Sequence, residues 1–161
     1  MTIIAAHAGT GKTTFANMHL DKVVDFTAGP YKYLPNPALE GLGSEEIKAH
    51  PDSYQNWDYP DNYIDAIKRE MVNGKVLVIP SCYMVRSLLK VEGIPYLLCY
   101  PQRDAKEVYQ KRYIDRGNTK EFLDIFIDGW DNFLDLLESD DYGEHIVMEA
   151  YEYLADVIDL E

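Results

Sequence analysis

Residues 6–13 read Ala-His-Ala-Gly-Thr-Gly-Lys-Thr, and no other stretch restricts the chain as strongly. The string follows G-x-x-x-x-G-K-[ST], the pattern of a loop that cradles phosphate, with Ala6 standing where the first glycine belongs. Such a loop needs a strand before it and a helix after it. Residues 2–6 (T-I-I-A-A) supply a short apolar run of the buried parallel-strand kind, and residues 13–20 read as the first turns of a helix. Gly9 and Gly11 can take backbone angles closed to other residues, which lets successive amides converge on an anion. The helix start adds the positive end of its dipole. His7, Ala8, Gly9, Thr10, Gly11, Lys12, Thr13 and Thr14 are therefore the candidate polyphosphate-binding residues. Lys12 can reach the β- and γ-phosphates as a point charge, and the Thr13 hydroxyl can ligate Mg²⁺.

The rest of the chain alternates strand-like and helix-like stretches. Residues 22–26 (K-V-V-D-F) read as a second strand, ending near Asp25 and Thr27. Ligands of open α/β sheets sit at the carboxyl ends of strands. There Asp25 can orient a hydroxyl or hold a magnesium-bound water; equally, it can cap a turn. Residues 28–62 hold five prolines and no periodicity beyond a short helix near residues 44–48. A loop this long is usually a lid or binding segment. Its many tyrosines and Trp57 suit a satellite core, with one or two left for a ligand.

A helix follows Pro60 and stops at Asn73-Gly74, and residues 75–80 (K-V-L-V-I-P) are the clearest buried strand. Ser81 follows at its carboxyl end. A helix over residues 83–91 carries Arg86 in its first turns, where a guanidinium can clamp phosphate or simply face water. Residues 94–100 form a fourth strand. Asp104 and Glu107 have capping-box spacing for a helix reaching Arg116, with Arg112 and Arg116 on one face. The stripe Phe122, Phe126, Trp130, Phe133 and Leu137 marks a core-facing helix, interrupted by Gly129. Residues 145–148 give a last short strand and residues 152–160 a last helix. This order predicts one domain over residues 1–161, an α/β fold with a parallel sheet covered on both faces.

Charge narrows the partners. The net charge of −13 argues against nucleic acid and anionic membranes as ligands. Six of the fifteen basic residues fall between Arg103 and Lys120, and none follows. That cluster reads as a local anion site or a solvated mixed-charge face. The sequence has no run of about 18 apolar residues, and the N-terminus lacks a basic leader region. Cys82 and Cys99 form no disulfide framework, so a reducing cytoplasm is expected.

Taken together, A-H-A-G-T-G-K-T-T, D-F-T-A-G-P-Y-K-Y, V-I-P-S-C-Y-M-V-R and Y-P-Q-R-D-A-K-E-V-Y-Q-K-R-Y-I-D-R-G-N resemble the nucleoside monophosphate kinases of the P-loop fold. The chain is most similar to the small (deoxy)nucleotide kinases of bacterial viruses and prophages. The resemblance implies a three-layer P-loop NTPase fold with five strands in the order 2-3-1-4-5. It also implies an acceptor-binding insert near residues 28–62 and an arginine-bearing lid near residues 101–119. ATP would be the co-substrate, with Mg²⁺, and a nucleoside monophosphate the acceptor. Lys12, Arg112 and Arg116 would act on the transferring group. Asp25, Thr27, Ser81, Arg86 and Arg103 would shape the acceptor site. Small-molecule nucleotides would be the partners, and the chain a monomer or homodimer.

One departure stands out. Many proteins of this fold carry an acid at the end of strand three to hold Mg²⁺ through water; here the region reads V-I-P-S. Two other readings stay open: a kinase of a nucleoside or other small hydroxyl compound, with Asp25 as base, and a non-catalytic nucleotide sensor.

Overall fold

The computed structural model describes residues 3–160; Thr2, assigned to the first strand above, lies outside them. The chain runs β1 (Ile3–Ala6), α1 (Lys12–Met18), β2 (Val23–Asp25), α2 (Gly29–Lys32), α3 (Ser44–Ala49) and α4 (Asp61–Met71). It continues through β3 (Val76–Pro80), α5 (Tyr83–Val91), β4 (Leu97–Pro101), α6 (Lys106–Asp115), α7 (Lys120–Leu123), α8 (Trp130–Glu138), β5 (Glu144–Met148) and α9 (Leu154–Val157). All five strands are parallel, in the order β2-β3-β1-β4-β5. That agrees with the expected α/β class and strand order.

Strand residues alternate between two cores. Ile3, Ala5, Leu77, Ile79 and Leu98 pack with α4, α5, α6 and α8, while Ile4, Ala6, Val78, Leu97 and Cys99 pack with Phe15 of α1 and Leu154 of α9. Both faces are thus covered by helices, as a sheet of near-continuous apolar strands demands. β1 lies at the centre, paired with β3 and β4. Its C-terminus therefore opens at the middle of the sheet edge, with Asp25 two strands away.

Several boundaries differ from the sequence reading, each for a local reason. The fourth strand begins at Leu97 because the Ile94 amide closes α5 on the Leu89 carbonyl at 2.9 Å. Asp104 does not cap α6: it lies inside a 3₁₀ turn, Arg103–Ala105, and neither Gln102 nor Ala105 makes a side-chain cap. The last helix is a single turn. The aromatic stripe is not one regular helix. Thr119 caps α7, a π-helical turn follows over Asp124–Asp128, and α8 resumes after Gly129. A Cβ at Gly129 would run into the Ile125 carbonyl, so that glycine is a close-packing site. The π turn brings Phe122 onto Phe126 at 4.4 Å between ring centres and Phe126 onto Phe133 at 5.0 Å. In the insert, Tyr31 and Tyr59 pack with Phe26 and Tyr63, whereas Tyr54 and Trp57 face solvent. No helix among the described residues is long and apolar enough to cross a membrane.

Two arginines assigned to the acceptor site are occupied elsewhere. Arg86 is 3% exposed and forms a buried ion pair with Asp140. It also donates to the Ser81 and Leu136 carbonyls, at 3.0 and 3.4 Å. Asp140 in turn accepts from Tyr96 and from the Tyr142 and Gly143 amides. This network pins α5 to the turn before β5. Arg103 reaches Asp131, Asp135 and Glu138 on α8. The acidic C-terminal third of the chain is what captures both guanidiniums. Removing one partner of a buried pair strands the other charge, so Arg86→Ala should cost about 3 kcal/mol in urea unfolding, the low end for such pairs because Asp140 keeps three donors. Unchanged stability with weakened nucleotide binding would return Arg86 to the acceptor site.

Candidate functional site

The site begins with the carbonyls of the loop leaving β1. The Ala6 and His7 carbonyls each accept from Lys12 Nζ at 3.2 Å, and that of His7 also from Thr10 Oγ1 at 2.7 Å. Tyr113 donates its hydroxyl to the Ala8 carbonyl at 2.8 Å, and Arg112 donates to that of Gly9 at 3.0 Å. The Leu154 amide reaches the Thr10 carbonyl at 3.0 Å, and the Phe15 amide the Gly11 carbonyl at 2.9 Å. Six successive carbonyls are therefore held by donors. α1 has no side-chain cap and no acid in its first turn, and the first amides of a helix lack intrahelical partners.

Two glycines make this path possible. Gly9 and Gly11 have φ of +83° and +87°. A Cβ on Gly9 would lie 2.8 Å from the Tyr113 ring, and one on Gly11 would lie 3.0 Å from that of Tyr153. The aromatic rings thus press against backbone where only glycine fits.

Beside the loop lies a cavity of about 670 Å³, lined by Ala8, Gly9, Gly11, Lys12, Thr13, Thr14, Asp25, Thr27, Ser44, Arg112, Asp115, Arg116 and Tyr153. Most expected site residues meet here. His7 and Thr10 do not: both are buried, and only their backbone belongs to the loop. The His7 ring points away into an aromatic cage of Tyr109, Phe126, Trp130 and Phe133, with centroids 5.7 to 6.4 Å away. Burial, helped by Lys12, lowers its pKa to about 3, so it stays neutral. Ser81 is also outside the cavity lining and serves Arg86 through its carbonyl.

Asp25 stands beside the residue with which a metal would be shared. Thr13 Oγ1 donates to Asp25 Oδ2 at 2.6 Å. Two hard oxygen donors side by side at the mouth of the glycine loop fit Mg²⁺, which takes few protein ligands and keeps waters and substrate phosphates. The described residues contain no cluster of three or more His, Cys, Asp or Glu side chains for a metal; the fit rests on this oxygen pair alone.

The two arginines at the end of α6 differ. Arg112 is fully engaged, donating to the Gly9, Ala150 and Glu152 carbonyls. It lies over the Tyr109 and Tyr153 rings at 4.6 and 3.9 Å from their centres. Arg116 makes one side-chain hydrogen bond, to Asn118 Oδ1 at 3.1 Å, and is exposed. Ser44, Asp115 and Tyr153 were not among the expected site residues. Asp115 sits between the arginines in sequence, which was a readable signal; Ser44 and Tyr153 arrive from distant segments and had none.

No protein-family model matches this chain, and no curated protein does.

Lys12 is half-buried, and its pKa is lowered to about 8. Desolvation is the main cause; Asp25 opposes it and Arg116 adds to it. An anion seated on the loop would favour the ammonium again. Binding should then take up a proton above about pH 8 and weaken as pH rises further. Calorimetry of ATP in buffers of different ionisation enthalpy should show uptake at pH 8.5 and little at pH 6.5. Equal proton balance at both would mean that Lys12 does not face the ligand charge.

Proposed function

We propose that this chain is a P-loop phosphotransferase that moves the γ-phosphoryl group of ATP to a small acceptor held beside Asp25. The observation that carries the reading is the convergence of Lys12, Thr13, Asp25 and Arg116 on one cavity at the mouth of the glycine loop. Phosphoryl transfer asks mainly for positioning and charge neutralisation, and these residues supply both.

The loop amides and Lys12 bind the β- and γ-phosphates; for this Lys12 leaves the Ala6 and His7 carbonyls. Thr13, with Asp25 behind it, would hold Mg²⁺, which would supply charge neutralisation to the phosphates when bound. Arg116, held by one side-chain hydrogen bond to Asn118, closes on the transferring group. Arg112 has a different role from the one first expected. It fixes the loop and the segment after β5 through the Gly9, Ala150 and Glu152 carbonyls, at the wall of the same cavity.

The acceptor is a nucleoside monophosphate on the strength of the family resemblance, and its ionised phosphate needs no base. A hydroxyl acceptor is favoured by a separate observation: Arg86 and Arg103 are sequestered in ion pairs, while Asp25, Thr27 and Ser44 line the acceptor end. In that case Asp25 takes the hydroxyl proton as the oxygen attacks phosphorus. The β–γ bridging bond breaks, and ADP leaves.

A coupled ADP-release assay over monophosphates and nucleosides separates the two acceptors. Lys12→Ala should lower turnover by roughly 10²-fold or more, the loss expected for one preorganised contact to growing charge. Arg116→Ala should lower it by roughly 10³-fold or more with ATP affinity little changed, as for an arginine finger. ATP binding without ADP release under any acceptor would leave a nucleotide sensor.

A further inference from the structure

The insert and the arginine-bearing segment meet at one side chain. Glu45, the second residue of α3, reaches across to the turn between α6 and α7. Its Oε1 accepts from Thr119 Oγ1 at 2.6 Å and from the Thr119 amide at 3.2 Å; its Oε2 accepts from Asn118 Nδ2 at 3.2 Å. Burial opposes the charge, but the Thr119 and Asn118 hydrogen bonds outweigh it and hold the Glu45 carboxyl below its ordinary range. Asn118 spends its other end on Arg116, accepting from Nε at 3.1 Å. The Asn118 backbone is fixed as well, since its amide bonds to the Tyr113 carbonyl at 3.1 Å.

This relay has a direction. Asn118 shows its NH₂ to a carboxylate and its oxygen to a guanidinium. A flipped amide would face like with like at both ends. A carboxylate at position 45 therefore selects the Asn118 orientation that receives Arg116. The guanidinium is further confined over the Tyr113 and Phe122 rings, at 5.5 and 5.8 Å from their centres. Ser44, the neighbour of Glu45, lines the same cavity as Arg116. A ligand that moves Ser44 must move Glu45, and with it the hold on Arg116.

We propose that Glu45 is a positioning residue: through Asn118 it places the Arg116 guanidinium over the cavity, so that seating of the acceptor insert governs the arginine that acts on the transferring group. The proposal rests on the phosphoryl-transfer reading above. Glu45 touches no substrate, so its loss should appear in turnover rather than in ATP binding.

The test uses the full chain and the variants Glu45→Ala, Glu45→Gln, Asn118→Ala, Arg116→Ala and Glu45→Ala/Arg116→Ala. Glu45→Ala and Asn118→Ala should each lower kcat by roughly 10- to 10²-fold, the scale of a misplaced catalytic group, with ATP affinity by calorimetry within about twofold. Glu45→Gln keeps an acceptor for Thr119 and should recover part of the loss; it also carries the test should the alanine variant unfold. The double variant should be no slower than Arg116→Ala alone, because one chain of contacts is lost once. Additive losses, or full kcat in Glu45→Ala, would overturn the proposal. A parent protein that neither binds ATP nor releases ADP would instead defeat the phosphoryl-transfer reading. The relay would then be judged by hydrogen exchange: faster exchange at residues 116–119 in Glu45→Ala supports it, and unchanged exchange overturns it.

Discussion

The structure depends on where six carbonyls go. From Ala6 to Gly11 each backbone oxygen has a donor, drawn from Lys12, Thr10, Tyr113, Arg112, Leu154 and Phe15. Buried carbonyls must be paired, so these bonds fix the loop's backbone. The donors come from the loop itself, α1, α6 and the segment after β5. Packing of the whole β1-centred half of the molecule thus serves one short turn. The positive φ angles at Gly9 and Gly11 follow from the same constraint, since aromatic rings occupy the space any Cβ would need.

Electrostatics makes the second layer of the design. In a chain of net charge −13, six of the fifteen Lys and Arg side chains pair with a carboxylate among the described residues. Arg86 pairs with Asp140, Arg103 with three acids on α8, Lys111 with Asp115 and Lys120 with Asp124. Lys12 and Arg116 form no such pair among the described residues: their side chains bond to carbonyls and to an amide oxygen, with Asp25 and Asp115 in the same cavity lining. Exposed pairs contribute little stability, but they remove competing positive charge from the surface. Lys12, Arg112 and Arg116, none of them in an ion pair among the described residues, meet around one cavity, where an anion would gain from their combined charge.

Local patterns made much of this legible. The glycine loop, the central strands and the parallel order could be read because apolar runs and Gly, Pro and Asn stops are properties of neighbouring residues. Asp25 could be placed at a strand end, and Arg112 and Arg116 on one helix face, by period alone. Arg86 could not be read correctly. Its partner Asp140 is 54 residues away, and a helix-start arginine looks the same whether it meets a phosphate or a buried carboxylate. The π turn at Asp124–Asp128 was equally hidden, because an aromatic stripe at helical spacing does not reveal one extra residue in a turn.

By itself the sequence determined the α/β class, the parallel sheet and the loop with its lysine and threonine, since these follow from periodicity and from residue types at fixed spacing; the strand order was implied by the family resemblance. Only the tertiary structure decided which cations are free. It set Thr13 against Asp25, brought Tyr153 and Ser44 to the cavity, spent Arg112 on carbonyls and linked Glu45 to Arg116 through Asn118. These are contacts between segments far apart in the chain, and a side chain's charge acquires its role from the partner that folding delivers.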